Sequence, residues 1–164
     1  MAELVTITID GKQTTAEKGT LVIEAAKKIG IEIPAFCYYE GYSLQAACRM
    51  CLVEVEKMPK LQPSCTLPAA EGMVVHTNTP KVAEARKTTL EFLLTNHPLD
   101  CPVCDKGGEC ELQDMVFRYG AGESRFTDLK RTFPKPVSIS AQILLDRERC
   151  VLCARCTRFS EQIS

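Results

Sequence analysis

Ten cysteines in a chain of 164 residues limit how it can fold, because with one histidine they fall into three spaced groups. The first is Cys37, Cys48, Cys51 and Cys65, and the second is His97, Cys101, Cys104 and Cys110. The third is Cys150, Cys153 and Cys156, one ligand short of four. So many thiols in a chain expected in a reducing cytoplasm are better explained by metals than by disulfides. A small domain also buries little surface and often needs a metal to hold it together. Three such groups on one polypeptide read as a row of iron–sulfur sites. Clusters of that kind move single electrons, which points to a wire rather than a single catalytic pocket.

Charge and hydropathy exclude other classes. The formal net charge is −1, from 20 basic and 21 acidic residues, and no basic block stands out, which argues against nucleic acid as a partner. The longest apolar runs, such as Phe92-Leu93-Leu94, are far too short to span a bilayer, so no direct membrane insertion is expected. Met1-Ala2-Glu3-Leu4 has neither a basic leader nor an apolar core and does not read as a signal peptide. There is no GxGxxG or Walker loop on which to base a nucleotide site.

The expected fold class is α+β. Val5, Ile7 and Ile9 alternate with Thr6 and Thr8, Asp10-Gly11 supplies a hairpin turn, and a second strand follows at about Gln13 to Ala16. Thr20 is a candidate N-cap for a helix carrying Leu21, Val22, Ala25, Ala26 and Ile29 on one face, and Gly30 stands where a left-handed cap is wanted. Leu52 to Glu56 and Met73 to Val75 read as returning strands. Residues 1–78 are therefore expected to form a sheet grasping a helix, a β-grasp domain of [2Fe–2S] ferredoxin type.

The cysteines of this domain lie in loops and on strand flanks. Ten residues separate Cys37 from Cys48, Cys48 and Cys51 form a C-x2-C pair, and Cys65 returns from beyond the next strand. Four thiolates in a looped α+β setting suit a [2Fe–2S] cluster. The plant-type run, with four residues before its close pair, is a different variant of the same plan. A zinc knuckle satisfies the same pattern and stays open as a reading. Phe36, Tyr38 and Tyr39 flank Cys37 and are read as apolar bulk that keeps water away.

Thr79 and Pro80 open a second helix, with Val82, Ala85, Arg86, Thr89, Leu90, Leu93 and Leu94 carrying its periodicity to Asn96, and His97-Pro98 breaks it. The ligand run His97-x3-Cys101-x2-Cys104-x5-Cys110 follows, stiffened by Pro98 and Pro102. Gly107 and Gly108 are expected to bring bare backbone, with its N–H groups, up to the sulfurs of a cluster. An imidazole in place of a thiolate removes one negative charge and raises the potential. Residues 79–120 are assigned to this small helical domain with its His/Cys ligand run, although a Cys3His zinc site also fits. His76, in an apparent strand with no cysteine at ligand spacing, is read as structural.

Residues 121–136 read as a linker and 137–164 as the start of a further [4Fe–4S] domain. Cys150, Cys153 and Cys156, in C-x2-C-x2-C spacing, offer three corners of a cubane from one short turn, which poorly serves a single tetrahedral zinc. Arg147, Arg149, Arg155 and Arg158 crowd this group and either offset its negative charge or form a solvated face.

The His97-x3-Cys101-x2-Cys104-x5-Cys110 run, preceded by the four-cysteine domain, resembles the N-terminal region of the large iron–sulfur subunit of respiratory NADH:quinone oxidoreductase (complex I). The same opening is similar to iron-only hydrogenases and to the diaphorase subunits of NAD-linked hydrogenases and formate dehydrogenases. The resemblance implies a [2Fe–2S] cluster on Cys37, Cys48, Cys51 and Cys65 and a [4Fe–4S] cluster on His97, Cys101, Cys104 and Cys110. A second [4Fe–4S] cluster at Cys150, Cys153 and Cys156 would be incomplete in what reads as a truncated chain, its fourth ligand lying outside it. Hydrogenase and diaphorase relatives resemble the full ferredoxin run, whose fourth cysteine would fall at Ser160 and whose proline would fall at Glu161. Ser160 therefore favours the complex I family.

The implied role is electron relay from reduced flavin toward quinone. The implied partners are a flavin-bearing NADH-oxidising subunit and other peripheral-arm subunits, on the cytoplasmic side of the inner membrane. The relay of a hydrogenase or formate dehydrogenase is the alternative, and a zinc-stabilised scaffold is the reading from another class. With no flavin or dinucleotide motif, the chain alone is not expected to oxidise NADH.

Overall fold

The computed structural model describes residues 3–164; Met1 and Ala2, which opened the leader reading, lie outside them. The chain divides into two compact units. One comprises the described residues up to Arg86 together with Ala154–Ser164, and the other is Lys87–Cys153. These divisions differ from the boundaries at 78, 120 and 136 drawn from the sequence. The second helix, α2 (Pro80–Leu94), crosses the first division without a break.

The first unit is built on a five-stranded mixed sheet. β1 (Leu4–Ile9) and β2 (Lys12–Glu17) pair antiparallel from Leu4↔Glu17 to Ile9↔Lys12. Their turn is Asp10-Gly11, both at positive φ, as a primed two-residue hairpin requires. β3 (Leu52–Val55), β4 (Gln62–Pro63) and β5 (Met73–His76) complete the order β2-β1-β5-β3-β4, with β5 parallel to β1 and antiparallel to β3. The two-residue β4, paired with β3, was too short to give a period in the sequence.

Strand alternation directs Val5, Ile7 and Ile9 to the core, where α1 (Val22–Lys28) adds Val22, Ile23, Ala25 and Ala26. Burying an aliphatic side chain of this size stabilises by about 1.5–3 kcal/mol. The apolar core, rather than exposed pairs such as Lys18–Glu3, therefore holds the unit together. The helix start departs from the expected cap. Leu21, not Thr20, occupies the N-cap position, and no side chain caps it. Thr20 is engaged through its backbone instead, donating to the Glu17 carbonyl and accepting from Ala69 N–H. Gly30, at φ +75, follows the helix as expected.

At α2 the expected start is observed: Thr79 Oγ1 accepts from Val82 N–H at 3.2 Å. Val82, Arg86 and Leu90 are buried along it. A short 3-10 turn (Cys101–Val103), α3 (Glu111–Tyr119) and a small hairpin of β6 (Val137–Ser138) with β7 (Leu144–Leu145) make up the rest of the second unit. The segment read as a linker is fastened within that unit. Lys130 Nζ donates to the Leu94 and Thr95 carbonyls, Arg131 N–H to Asn96 Oδ1, and the Arg125 guanidinium pairs with both Glu91 oxygens. Its polar composition hid these contacts, because each is a long-range pairing that no local pattern announces. α4 (Arg155–Ile163) returns to the first unit. Among the described residues, no helix is long and apolar enough to cross a membrane.

Candidate metal centres

The first group of cysteines is gathered in one place. Cys37, Cys51 and Cys65 are buried and Cys48 is half-buried. The thiols meet in pairs: Cys37 with Cys48 and with Cys65, and Cys51 with Cys65. Two positions in the loop between Cys37 and Cys51, Ala46 and Arg49, hold the left-handed conformation at φ +51 and +59, a strain that non-glycine residues accept where the surroundings fix the backbone.

The neighbouring Cys48 and Cys65 thiols push the Cys37 pKa far down, while Cys48 and Cys65 are themselves pushed up by Cys37. Cys51 is lowered to about 7, chiefly by the Cys65 thiol. Four thiolates this close need a positive core among them, so the donor set fits an iron–sulfur group. Among the described residues no three His, Cys, Asp or Glu side chains are gathered tightly enough to share one metal ion.

Polar side chains invisible to motif reading hold these loops. The buried Ser64 hydroxyl donates to the Cys51 carbonyl at 2.8 Å. Arg86, buried on α2, donates to the Met50 and Leu52 carbonyls on either side of Cys51. Phe36 N–H points at Cys48 Sγ, 3.3 Å away. From α4, Arg158 donates to the Cys37 and Ser43 carbonyls, and Arg155 donates to those of Ala35 and Tyr38. Arg155 and Arg158 therefore neither face solvent nor simply surround the third group. Arg155 Nε is buried without a hydrogen-bond partner, a donor left over for an acceptor of the kind a cluster supplies.

The aromatic shield is partial. Phe36 is buried, and Tyr38 is half-buried with its hydroxyl donating to Glu24 at 2.5 Å. Tyr39 is 54% exposed and sits under the Arg155 guanidinium, so it does not exclude water as the sequence suggested.

In the second unit His97, Cys101, Cys104 and Cys110 all line one cavity of about 190 Å³, with Leu94, Leu112 and Val116 supplying apolar wall. A Cβ on Gly107 would stand 2.8 Å from the Cys101 carbonyl oxygen and 3.1 Å from that of Cys104, so only glycine lets the loop close this tightly. The glycine N–H groups are already engaged: Gly107 donates to the Cys104 carbonyl and Gly108 to Gln113 Oε1. The expectation that they aim at sulfur is therefore corrected. Burial first, and the Lys130 charge second, hold the His97 pKa down, leaving the neutral imidazole that a metal requires. The cavity and this donor set fit a cluster.

Arg149, which sequence reading placed with the third group, lines the same cavity and is paired to Asp100 and Asp146. Lys135 bridges Asp100, Asp146 and Glu148, which fixes the loop around Cys101. His76 lies at the end of β5 with Nε2 3.3 Å from Glu56.

The third group straddles the division between units: Cys150 and Cys153 belong to the second and Cys156 to the first, in the opening turn of α4. Leu152 and Ala154, either side of Cys153, are both at φ +55, and Leu152 N–H points at Cys150 Sγ, 3.3 Å away.

Residues 2–80 match the family model of a 2Fe-2S iron–sulfur cluster binding domain, and residues 86–125 match that of the NADH-ubiquinone oxidoreductase-G iron–sulfur binding region. The NADH-quinone oxidoreductase G subunit of Streptomyces coelicolor is 56% identical across 99% of the chain, and that of Mycobacterium tuberculosis is 57% identical across 99%. Nearly the whole chain is thus similar to one part of the G subunit of NADH-quinone oxidoreductase. The chain spans about a fifth of the length of these curated relatives, 20% of each. Among solved structures, an NAD+-reducing [NiFe]-hydrogenase in the H2-reduced state matches with a TM-score of 0.83 and 32% identity, over 98% of this chain and 67% of that one. Iron–sulfur binding regions thus match the stretches that carry the first two groups of candidate ligands.

Proposed function

We propose that the chain is an electron-relay segment of an NADH:quinone oxidoreductase. In this reading Cys37, Cys48, Cys51 and Cys65 hold a [2Fe–2S] cluster within the β-grasp domain, and His97, Cys101, Cys104 and Cys110 hold a [4Fe–4S] cluster. Cys150, Cys153 and Cys156 contribute three ligands to a further [4Fe–4S] cluster. The domain boundaries at 78, 120 and 136 follow the ligand groups rather than the compact units. When bound, such clusters supply reversible one-electron chemistry. The carrying observation is that the four second-group donors, separated by up to a dozen residues, all line one cavity closed by Gly107.

The chain's own residues then divide the work. Burial of Cys37, Cys51, Cys65 and Phe36 keeps water from the first site, which lowers the cost of moving an electron between buried groups. Neutral His97 leaves the second site with one charge fewer than four thiolates would give. Flavin-bearing and other peripheral-arm subunits are the proposed partners, at the cytoplasmic face of the inner membrane.

The hydrogenase-type relay is the second reading, favoured by the 0.83 TM-score to the NAD+-reducing hydrogenase. The lower identity of that match, 32% against 56–57%, and Ser160 in place of a ferredoxin cysteine favour the first.

The function is tested by mixing the anaerobic chain with NADH, with and without a flavin-bearing NADH-oxidising subunit. Reduced-cluster signals in electron paramagnetic resonance are expected only when that subunit is present. NADH oxidation by the chain alone, or clusters that stay oxidised with the flavin subunit present, contradicts the assignment.

A further inference from the structure

We propose that the buried arginines Arg86 and Arg158 act as a cationic clamp on the first site, setting its potential as well as its shape. The inference rests on the reading of Cys37, Cys48, Cys51 and Cys65 as cluster ligands. Among the described residues only four polar or charged side chains are buried as whole residues: Ser64, Thr77, Arg86 and Arg158. Three of these four hold the ligand loops of this one site.

The two guanidiniums reach it from different helices. Arg86, 3% exposed on α2, brackets Cys51 through the Met50 and Leu52 carbonyls, at 3.3 and 3.4 Å. Arg158, 5% exposed on α4, takes the Cys37 and Ser43 carbonyls. Its Nε donates to the Ala154 carbonyl at 3.1 Å, which fixes the guanidinium against its own helix. Arg155 adds two further bonds to the same loop, and Gln162 donates to the Gly41 carbonyl at 2.9 Å.

Burying a guanidinium is unfavourable unless something nearby repays its lost hydration. Four thiolates make the loaded first site an anion, so the two cations and the site stabilise one another. Reduction adds a negative charge, and a fixed cation one residue from a ligand favours the reduced form. The arginines therefore raise the potential. Arg158 also lies two residues beyond Cys156 on α4, so the clamp ties the first site's loop to the helix carrying a ligand of the third.

The test uses Arg158→Gln and Arg86→Gln in the full chain, loaded anaerobically, with iron content and a redox titration of the [2Fe–2S] signal as readouts. Each Gln variant is expected to load and to show the oxidised-to-reduced ratio at fixed potential raised about tenfold, equivalent to about 59 mV for one electron. Arg158→Lys, which keeps the charge but not the fork, is expected to titrate close to the unmodified chain. Gln variants that load fully and titrate as the unmodified chain overturn the clamp. If Arg158→Gln does not load, Arg158→Lys decides: restored loading at near-normal potential supports it, and equal loss overturns it. An unmodified chain that gives no [2Fe–2S] signal overturns the underlying ligand reading instead.

Discussion

At the scale of single residues, two positions separate the cluster reading from its rivals. If His97 is a cluster ligand, His97→Cys keeps the cluster and lowers its potential, because a thiolate adds negative charge beside the iron. His76→Ala, at a side chain whose contact is Glu56, leaves every cluster signal unchanged. A redox titration of each variant checks both, and an unchanged potential in His97→Cys contradicts the ligand role. Gly107→Ala is expected to deplete the second cluster and spare the first, because the clash is with backbone oxygens that cannot swing aside. Separate quantification of the two signals tests this, and full occupancy of the second would show that the loop opens freely. The two groups of candidate ligands that the structure brings together, and Gly107, were legible because their chemistry tolerates few substitutes. Ser64, Arg86 and Arg158 were not, since a serine or arginine reads as surface until the fold buries it.

Elements were legible where the pattern was periodic. The β1–β2 hairpin and the start of α2 followed from strand alternation and from Thr79-Pro80. The cap at Thr20 failed because the strand-like bridge Leu21↔Pro68 held that stretch extended and moved the helix start one residue on. The contacts of the segment around Lys130 and Lys135 were not legible for the opposite reason, their partners lying some 35 residues away. Thr79→Ala is expected to cost about 1 kcal/mol of unfolding free energy through the lost N-cap bond. Ser64→Ala is expected to cost about 1 kcal/mol and no more, because Ser64 N–H still donates to the Cys51 carbonyl. Denaturant unfolding of the loaded chain measures both. A loss several times larger for Ser64→Ala would mean that its hydroxyl organises the whole first site.

Over the whole molecule, the ligand groups and the compact units do not coincide. α2 runs through one division, and the third group's cysteines fall on both sides of the other. Ligand spacing is local chemistry, whereas the return of α4 to the first unit depends on arginine contacts more than 110 residues apart in sequence, such as Arg155 to Tyr38. The metal content of the anaerobically purified chain tests the central claim most directly, with iron, acid-labile sulfide and zinc determined on one sample. Iron and sulfide in comparable amounts, with at most traces of zinc, are the predicted result; stoichiometric zinc without sulfide would contradict it.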